Sequence, residues 1–258
     1  MLTIEQITNY FNDRTVKANK QGMLIEYLQY EILDSIFKNK EAGNLSFIGG
    51  TSIRIIHDSL RFSEDLDFDN FGLDFNKFEG LMLKAVKDMQ LKGFLIEYKS
   101  VFRGAYHCYI RFPLMLNKLK ISADERKKVL IRIDSEKKEK TYKKEKYLLN
   151  KFAVYQNVFI APKEVLLAQK MITVLNRKRE KGRDLFDVSF LSGIARPDYE
   201  YILKSLNLSK GEFLELFEKR ILELDLEYLA KDVEPFLFYP EQKNRITTFL
   251  EYFNQHSW

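Results

Sequence analysis

The sequence has a single cysteine, Cys108, among its 258 residues, so no disulfide can form within the chain. No zinc-type or thioredoxin-type spacing surrounds Cys108. No apolar run reaches the about eighteen residues that a membrane helix needs, and residues 1–11 lack the basic and then apolar order of a secretion signal. These absences predict a protein of the reducing cytoplasm that neither spans a membrane nor is secreted.

Histidine is also scarce, since only His57, His107 and His256 occur, without metal-ligand spacing, and we interpret all three as structural. No Ser–His–Asp arrangement is visible. The chain is instead rich in hydrophobic residues, 45%, and charged residues, 31%, which is a globular composition large enough for a recessed site. The net charge of +5 is compatible with a polyanionic partner, and it is equally compatible with a lysine-rich protein that has none.

The hydrophobic pattern predicts a mixture of helices and strands in the first 160 residues. Apolar residues recur at helical spacing over 14–40 and 76–91. A short apolar run over 44–48 ends at Gly49–Gly50, which predicts a strand, a tight turn and a helix start. Further strands are predicted where aromatic and β-branched residues concentrate: 94–102, 105–112 and 128–134.

From Pro162 onwards the pattern is helical, with no convincing strand. The helical ranges are 162–176, 182–191, 199–206, 213–224 and 241–253. We therefore predict an α+β fold: an α/β core with a mixed or antiparallel sheet over 1–160, followed by a helical domain over 161–258. No internal repeat or Pro-rich linker separates the two.

One low-complexity run, 137–146, contains six lysines and two glutamates. Such a run is typical of a solvated loop, and contact with nucleic-acid phosphates is the alternative.

Paired carboxylates carry the first chemical signal. Asp65 and Asp67 alternate with apolar residues on a predicted strand, which puts both side chains on one face about 7 Å apart. Two such carboxylates can share one hard cation such as Mg²⁺, although exposed alternating aspartates also occur simply for solubility. Asp134 ends another predicted strand and is a candidate third carboxylate, with Glu136 on the same face as the alternative.

A glycine-rich turn carries the second signal. Gly49, Gly50 and Thr51 lie at a predicted strand-to-helix junction, where backbone amides and the helix N-terminus favour phosphate. No Gly-Lys-Ser/Thr follows, so the turn is not a Walker A loop. A plain turn is the alternative.

Together, residues 47–51 and 61–68 resemble the opening signature of the AbiEii/AbiGii toxin family, part of the polymerase-β-like nucleotidyltransferase superfamily. The helix over 164–176, with the Arg-Asp-x-aromatic-Asp run over 183–187, is similar to that family's second signature. The resemblance extends from about Tyr27 to Leu191 and implies a polymerase-β-like core.

The resemblance implies roles for named residues of the first signature. It implies that Asp65 and Asp67 bind Mg²⁺, with Mn²⁺ as an alternative. Asp134 lies outside both signatures, and we expect either Asp134 or a second metal to activate the acceptor hydroxyl. A second set is implied to contact the NTP phosphates or lie within reach of them: Gly49, Gly50, Thr51 and Ser63.

In the second signature, Lys170 matches the family's helix lysine, which is implied to neutralise the triphosphate. A snorkelling lysine is the alternative. Asp184 and Asp187 match the acidic pair, Asp184 as a nucleotide-binding residue and Asp187 as a catalytic one. The alternative is that they pair with Arg183 or Arg177 and only position the helix.

The function that the resemblance implies is that of a toxin in an abortive-infection, phage-defence pair with a cognate antitoxin. The enzyme would transfer a nucleotide from an NTP to RNA, with the tRNA acceptor end as the leading candidate. The alternatives are nucleotide transfer to a protein hydroxyl, as in AMPylation, a non-catalytic nucleotide- or RNA-binding protein, and an interaction module using strand aromatics such as Tyr106, Tyr109 and Phe112.

Overall fold

The computed structural model describes residues 1–258, apart from the side chain of Ala18. The α-helices in these residues are α1 Ile4–Thr8, α2 Asp13–Ala18, α3 Lys20–Phe37, α4 Gly49–His57, α5 Phe75–Leu91, α6 Met115–Lys118, α7 Lys163–Asn176, α8 Gly182–Ser192, α9 Tyr199–Leu206, α10 Lys210–Leu222, α11 Leu226–Val233, α12 Asn244–Thr247 and α13 Phe249–Gln255. The strands are β1 Leu45–Ile48, β2 Leu66–Asn70, β3 Glu97–Arg103, β4 Ala105–Phe112, β5 Val129–Lys137, β6 Glu145–Lys151 and β7 Val154–Ile160. Short 3-10 helices cover Lys40–Asn44, Glu234–Phe236 and Pro240–Lys243.

The seven strands form one mixed sheet in the order β3-β4-β5-β2-β1-β7-β6. The β2–β5 and β1–β7 pairs are parallel, and the other neighbouring pairs are antiparallel. This confirms the predicted α+β class with a mixed sheet. Because β2 is the central strand of the order, whatever side chains it carries lie between the side chains of β1 and β5.

The chain divides into two compact units. The first comprises 1–52, 62–140 and 144–160 and contains the whole sheet, with α3 packed against α5 and β7.

The second unit comprises 53–61, 141–143 and 161–258. From Lys163 onwards its elements are helical, as predicted, and a single β-bridge joins Arg61 to Leu237. The two continuous domains expected from the sequence remain a prediction. Among the described helices, none combines the length and the hydropathy that crossing a membrane requires.

The helix predicted over 14–40 is two helices, α2 and α3, separated at Asn19. Asn19 leaves helical geometry with φ −153°, and its side chain accepts a hydrogen bond from the amide of Gly22 at 2.7 Å. The side-chain cap therefore begins a new helix where the apolar spacing alone predicts continuity. α3 is also buried on nearly all sides rather than on one face, because neighbours pack around it.

The hairpin of β6 and β7 is absent from the sequence prediction. Its turn consists of Phe152 and Ala153, which have φ values of 56° and 63°, whereas such turns usually carry Asn-Gly or Asp-Gly. Phe152 is buried, with its ring against those of Tyr10, Tyr27 and Tyr30. Packing of Phe152 stabilises a turn conformation that its sequence does not favour.

We expect Ala153→Gly to stabilise the protein by about 0.5–1 kcal/mol, because glycine adopts positive φ without the clash of a Cβ. The measurement is the free energy of unfolding in urea. Ala123→Gly is the matched control, since Ala123 is an exposed loop alanine that does not have a positive φ. This control substitution should leave the free energy of unfolding unchanged or lower it. Equal effects of the two substitutions would show that the turn is unstrained.

Candidate active site

Three carboxylates of the first unit lie on the adjacent strands β2 and β5 or at their ends. Asp65 directly precedes β2, and Asp67 lies on β2 opposite Asp134 of β5 in the parallel register. Glu136 lies two residues farther along, opposite Asp69, and its side chain is exposed. Of the two candidates for the third carboxylate, the strand register therefore brings Asp134 beside Asp67.

A guanidinium group lies among these carboxylates. Arg132 Nη2 is 3.1 Å from Asp65 Oδ2, and Arg132 Nε is 2.9 Å from Asp134 Oδ2. Partial burial disfavours the charged form, but Asp65, Asp134 and Asp67 outweigh it and raise the pKa of Arg132. The arginine therefore stays charged and offsets part of the repulsion between the three acids.

His107 is a member of this cluster that sequence analysis missed. It lies on β4 opposite Asp134, and its Nδ1 is 2.8 Å from Asp134 Oδ1. Each carboxylate oxygen of Asp134 thus has one nitrogen partner, from His107 or Arg132. Alternation along strands 105–112 and 129–134 gives the face of each residue, but the register that joins them is a tertiary property, so the sequence contains little signal for this contact.

The glycine turn packs directly on the acidic cluster. Gly49 has φ +78°, and a Cβ there would come within 2.9 Å of the Asp67 Cβ and Cγ atoms. Thr51 is buried, and its hydroxyl donates a hydrogen bond to the carbonyl oxygen of Asp65. The Thr51 hydrogen bond therefore joins the turn to the segment that carries the aspartates.

The two remaining residues predicted to lie near the nucleotide phosphates are less exposed. Gly50 is buried. Ser63 is half-buried, and its carbonyl oxygen accepts a hydrogen bond from Gln29 Nε2 at 2.9 Å.

The donor set suits a hard divalent cation. Asp65, Asp67 and Asp134 supply carboxylate oxygens, which Mg²⁺ and Mn²⁺ prefer, and they already surround one cationic group, Arg132. Within the described residues, no group of three or more Asp, Glu, His or Cys side chains meets the spacing of a complete metal site. Such a site would need other ligands, such as water or substrate phosphates.

The second unit contains a buried network of alternating charges. Lys170 Nζ is 3.0 Å from Asp184 Oδ1 and 2.9 Å from Asp187 Oδ2. Arg177 Nε is 3.0 Å from Asp184 Oδ2. Arg61 makes two hydrogen bonds to Asp187, at 2.7 and 2.6 Å, and both side chains are almost fully buried. Three cations therefore surround two carboxylates.

Electrostatics favour the charged forms of Lys170 and Asp184. Burial disfavours the charge of Lys170, but Asp187 and Asp184 outweigh burial and raise the pKa of its ammonium group. Burial would raise the pKa of Asp184, but Lys170 and Arg177 reverse this and lower it. These two groups therefore form an ion pair despite their burial.

Arg61 belongs to the sequence signature but was not predicted to be a site residue. Its guanidinium is 2% exposed and contacts Asp187, 126 residues away in the chain. The apolar neighbours Leu60 and Phe62 indicate burial, and a buried arginine needs an acidic partner. The identity of that partner is decided by the tertiary structure.

The structure thus gathers the predicted site residues into two clusters. The first unit holds Asp65, Asp67, Asp134, Gly49, Gly50 and Thr51, with Ser63 close by in the chain. The second unit holds Lys170, Asp184 and Asp187, and the pairing of Asp184 with Arg177 is one that the sequence left open. Arg183 lies over the ring of Phe236.

Comparison with known proteins gave a family match. A sequence model of the family described as nucleotidyl transferase AbiEii toxin, type IV toxin–antitoxin system, matches residues 31–256. The comparison with curated proteins gave no match.

Two solved structures from Helicobacter pylori share the fold. JHP933 is 16% identical, with a TM-score of 0.51 over 95% of this chain and 94% of that one. A protein described as a candidate nucleotidyltransferase is 16% identical, with a TM-score of 0.55 over 91% and 95% of the two chains. At this identity the likeness concerns the fold alone.

We expect Gly49→Ala to lower nucleotidyl transfer by about 10–100-fold, because a Cβ at this positive φ displaces Asp67. Transfer rates at saturating NTP measure the effect. Gly43→Ala is the control, since a Cβ at Gly43 meets no atom within 4 Å. Full activity of Gly49→Ala would contradict the close packing of turn and carboxylate.

We expect Arg61→Met to lower the free energy of unfolding by about 3–5 kcal/mol, because it removes both guanidinium hydrogen bonds to the buried Asp187. Urea denaturation measures the loss, and Lys204→Met, which removes an exposed pair with Glu200, should cost about 0–1 kcal/mol. A loss for Arg61→Met no larger than the loss for Lys204→Met would contradict a stabilising role for the buried ion pair.

Proposed function

Because this chain belongs to the AbiEii nucleotidyl transferase toxin family, we propose that it transfers a nucleotide from an NTP to RNA, at the acceptor end of tRNA. Membership makes the chain a nucleotidyltransferase of a type IV toxin–antitoxin system, which implies a nucleotide substrate and an antitoxin counterpart. The observation that carries the proposed chemistry is the register of β2 and β5, which puts Asp67 beside Asp134. The net charge of +5 supports a phosphate-rich acceptor.

We assign the cation-binding role to Asp65 and Asp67. Both side chains are partly exposed and close to the Gly49 turn, so their oxygens can be reached from solvent. Mg²⁺, or Mn²⁺ in its place, would supply charge neutralisation on the triphosphate when bound. Arg132 adds a fixed positive charge to the same cluster.

The proposed transfer forms one bond and breaks one bond. The acceptor hydroxyl oxygen bonds to the α-phosphorus of the NTP, the bond from that phosphorus to the bridging oxygen breaks, and pyrophosphate leaves. The hydroxyl proton passes to the carboxylate of Asp134, which His107 and Arg132 hold in place from either side. The protein contributes position and charge rather than a covalent nucleophile.

The remaining predicted residues support this chemistry in different ways. Gly49 and Gly50 allow phosphates to approach the backbone, and Thr51 fixes the Asp65 carbonyl. Lys170 is the residue proposed to neutralise the triphosphate, as in the family's second signature, and its network keeps it charged. We assign Asp184 and Asp187 to holding Lys170 rather than to touching the nucleotide.

The biological setting is part of the proposal. A nucleotidyl transfer that disables an essential RNA would stop translation in the cell that makes the toxin, and an antitoxin would have to prevent it. We propose that this occurs in the cytoplasm as a defence against phage.

The test supplies purified protein with Mg²⁺, each labelled NTP in turn and total bacterial tRNA. We expect the wild-type protein to label tRNA and the Asp65→Ala/Asp67→Ala variant to transfer the nucleotide at least about 100-fold more slowly. A bound cation stabilises the transition state by several kcal/mol, and each tenfold in rate corresponds to about 1.4 kcal/mol. Glu125→Ala/Glu139→Ala, which removes two exposed carboxylates, is the charge-matched control and should remain active.

Label on a protein instead of tRNA would show that the acceptor is a protein hydroxyl and not RNA. Unimpaired labelling by the Asp65→Ala/Asp67→Ala variant would show that these two carboxylates are not required for nucleotide transfer. No label on either acceptor, with NTP still bound, would overturn RNA modification as the function.

A further inference from the structure

A densely charged surface in the second unit has no assigned role. It is the turn between α7 and α8, which we name the basic turn and define as residues 177–181. Its five consecutive side chains are Arg177, Lys178, Arg179, Glu180 and Lys181. The first three are exposed, and the last two are half-buried.

The one acidic residue of the basic turn is neutralised from within the same unit. Arg220 of α10 donates a hydrogen bond to the Glu180 carboxylate at 2.8 Å. A backbone hydrogen bond and this arginine together lower the pKa of Glu180, so it stays ionised and paired. The outward charge of the turn is therefore that of its lysines and arginines.

The basic turn is also held in a defined shape. Arg220 donates to the carbonyl oxygens of Val174 and Arg177, at 3.5 and 3.2 Å. At the other end, the Gly182 amide donates to Asp232 Oδ2 at 2.9 Å, and a Cβ on Gly182 would collide with the backbone of Leu229. Fixing the backbone in advance lowers the entropy cost of binding a ligand there.

Arg177 connects the basic turn to the buried network. Its Nε contacts Asp184, while its side chain remains 43% exposed. Asp184 also contacts Lys170, so Arg177 of the basic turn and Lys170 share one carboxylate partner.

The chemistry of the basic turn suits a phosphate backbone better than a protein. It offers four cations and no apolar side chain, whereas protein interfaces depend on apolar or aromatic anchors. Arginine matches phosphate geometry with two hydrogen bonds.

The other basic segment, the lysine run over 137–146, is more committed to internal contacts. Lys138 is 3.4 Å from the buried Asp69. Lys144 donates to the carbonyl oxygens of Gly43 and Leu45 and lies over the ring of Phe159. These two lysines are therefore less available to an external phosphate than Lys178 and Arg179.

We propose that the basic turn binds the phosphate backbone of the acceptor RNA. This proposal rests on the proposed function, because it takes RNA as the acceptor, and it adds the surface that holds it. The turn contributes affinity without reading sequence, since contacts to phosphates carry no base information.

The experiment compares Lys178→Glu/Arg179→Glu with the wild-type protein in binding labelled bulk bacterial tRNA at several salt concentrations. We expect the Kd at about 0.1 M salt to rise at least tenfold, and the slope of log affinity against log salt to flatten by about 1.4–2 for two lost phosphate contacts. NTP binding should be unchanged. Lys219→Glu/Lys231→Glu, which makes the same charge change at exposed residues of the same unit, should keep most of the affinity.

Wild-type affinity in the turn variant, or an equal loss in the control, would overturn the proposal, and the first outcome would point to an acidic protein as the ligand of the turn. A second variant, Lys178→Ala/Arg179→Ala, tests whether misfolding explains a loss of binding. We expect it to keep the wild-type thermal unfolding midpoint and to lose less tRNA affinity than the glutamate variant. Labelling of tRNA by the wild-type protein is scored separately. If tRNA is labelled and the turn variant binds normally, only this inference fails, whereas absence of labelling defeats the proposed function.

Discussion

Charge compensation around the carboxylates is the constraint on which both clusters depend. Acidic side chains gathered on neighbouring strands, or buried between helices, repel one another and lose hydration unless cations lie beside them. In the first unit Arg132 lies against Asp65 and Asp134. In the second unit Arg61 forms two hydrogen bonds with the fully buried Asp187. Removal of Arg132 would leave three neighbouring carboxylates without the cation among them, and removal of Arg61 would leave the buried Asp187 with Lys170 as its remaining cationic partner.

The two clusters use the same kind of charge pairing but differ in exposure, and we assign them different roles on that basis. The side chain of Asp65 is 33% exposed, so its oxygens can exchange a protein partner for a ligand. The side chain of Asp187 is inaccessible to solvent, so its carboxylate is paired with protein groups. An accessible acidic cluster suits substrate and cation, whereas a buried one suits the positioning of Lys170. This difference in exposure is the reason why we propose ligand contact for the first cluster and a positioning role for the carboxylates of the second.

Much of the architecture was predictable, and the failures have identifiable causes. The α+β class and the strands over 97–112 follow from local hydrophobic patterns, which sequence displays directly. The β6–β7 hairpin was not predicted from the sequence, because its turn at Phe152 and Ala153 depends on aromatic packing rather than on turn-forming residues. The break at Asn19 was also missed, because a cap can interrupt an unbroken apolar spacing.

The sequence by itself determined the family, the α+β class and the chemical groups available to the site, because the glycine turn and the Asp65-x-Asp67 pair are short-range patterns. Only the tertiary structure decided how those groups are partnered. The register of β2 with β5 put Asp134 rather than Glu136 beside Asp67, and the packing of the segment around Arg61 against α8 joined Arg61 to Asp187 across 126 residues. Strand register and helix packing bring together residues that are far apart in the chain, so no local pattern records these contacts.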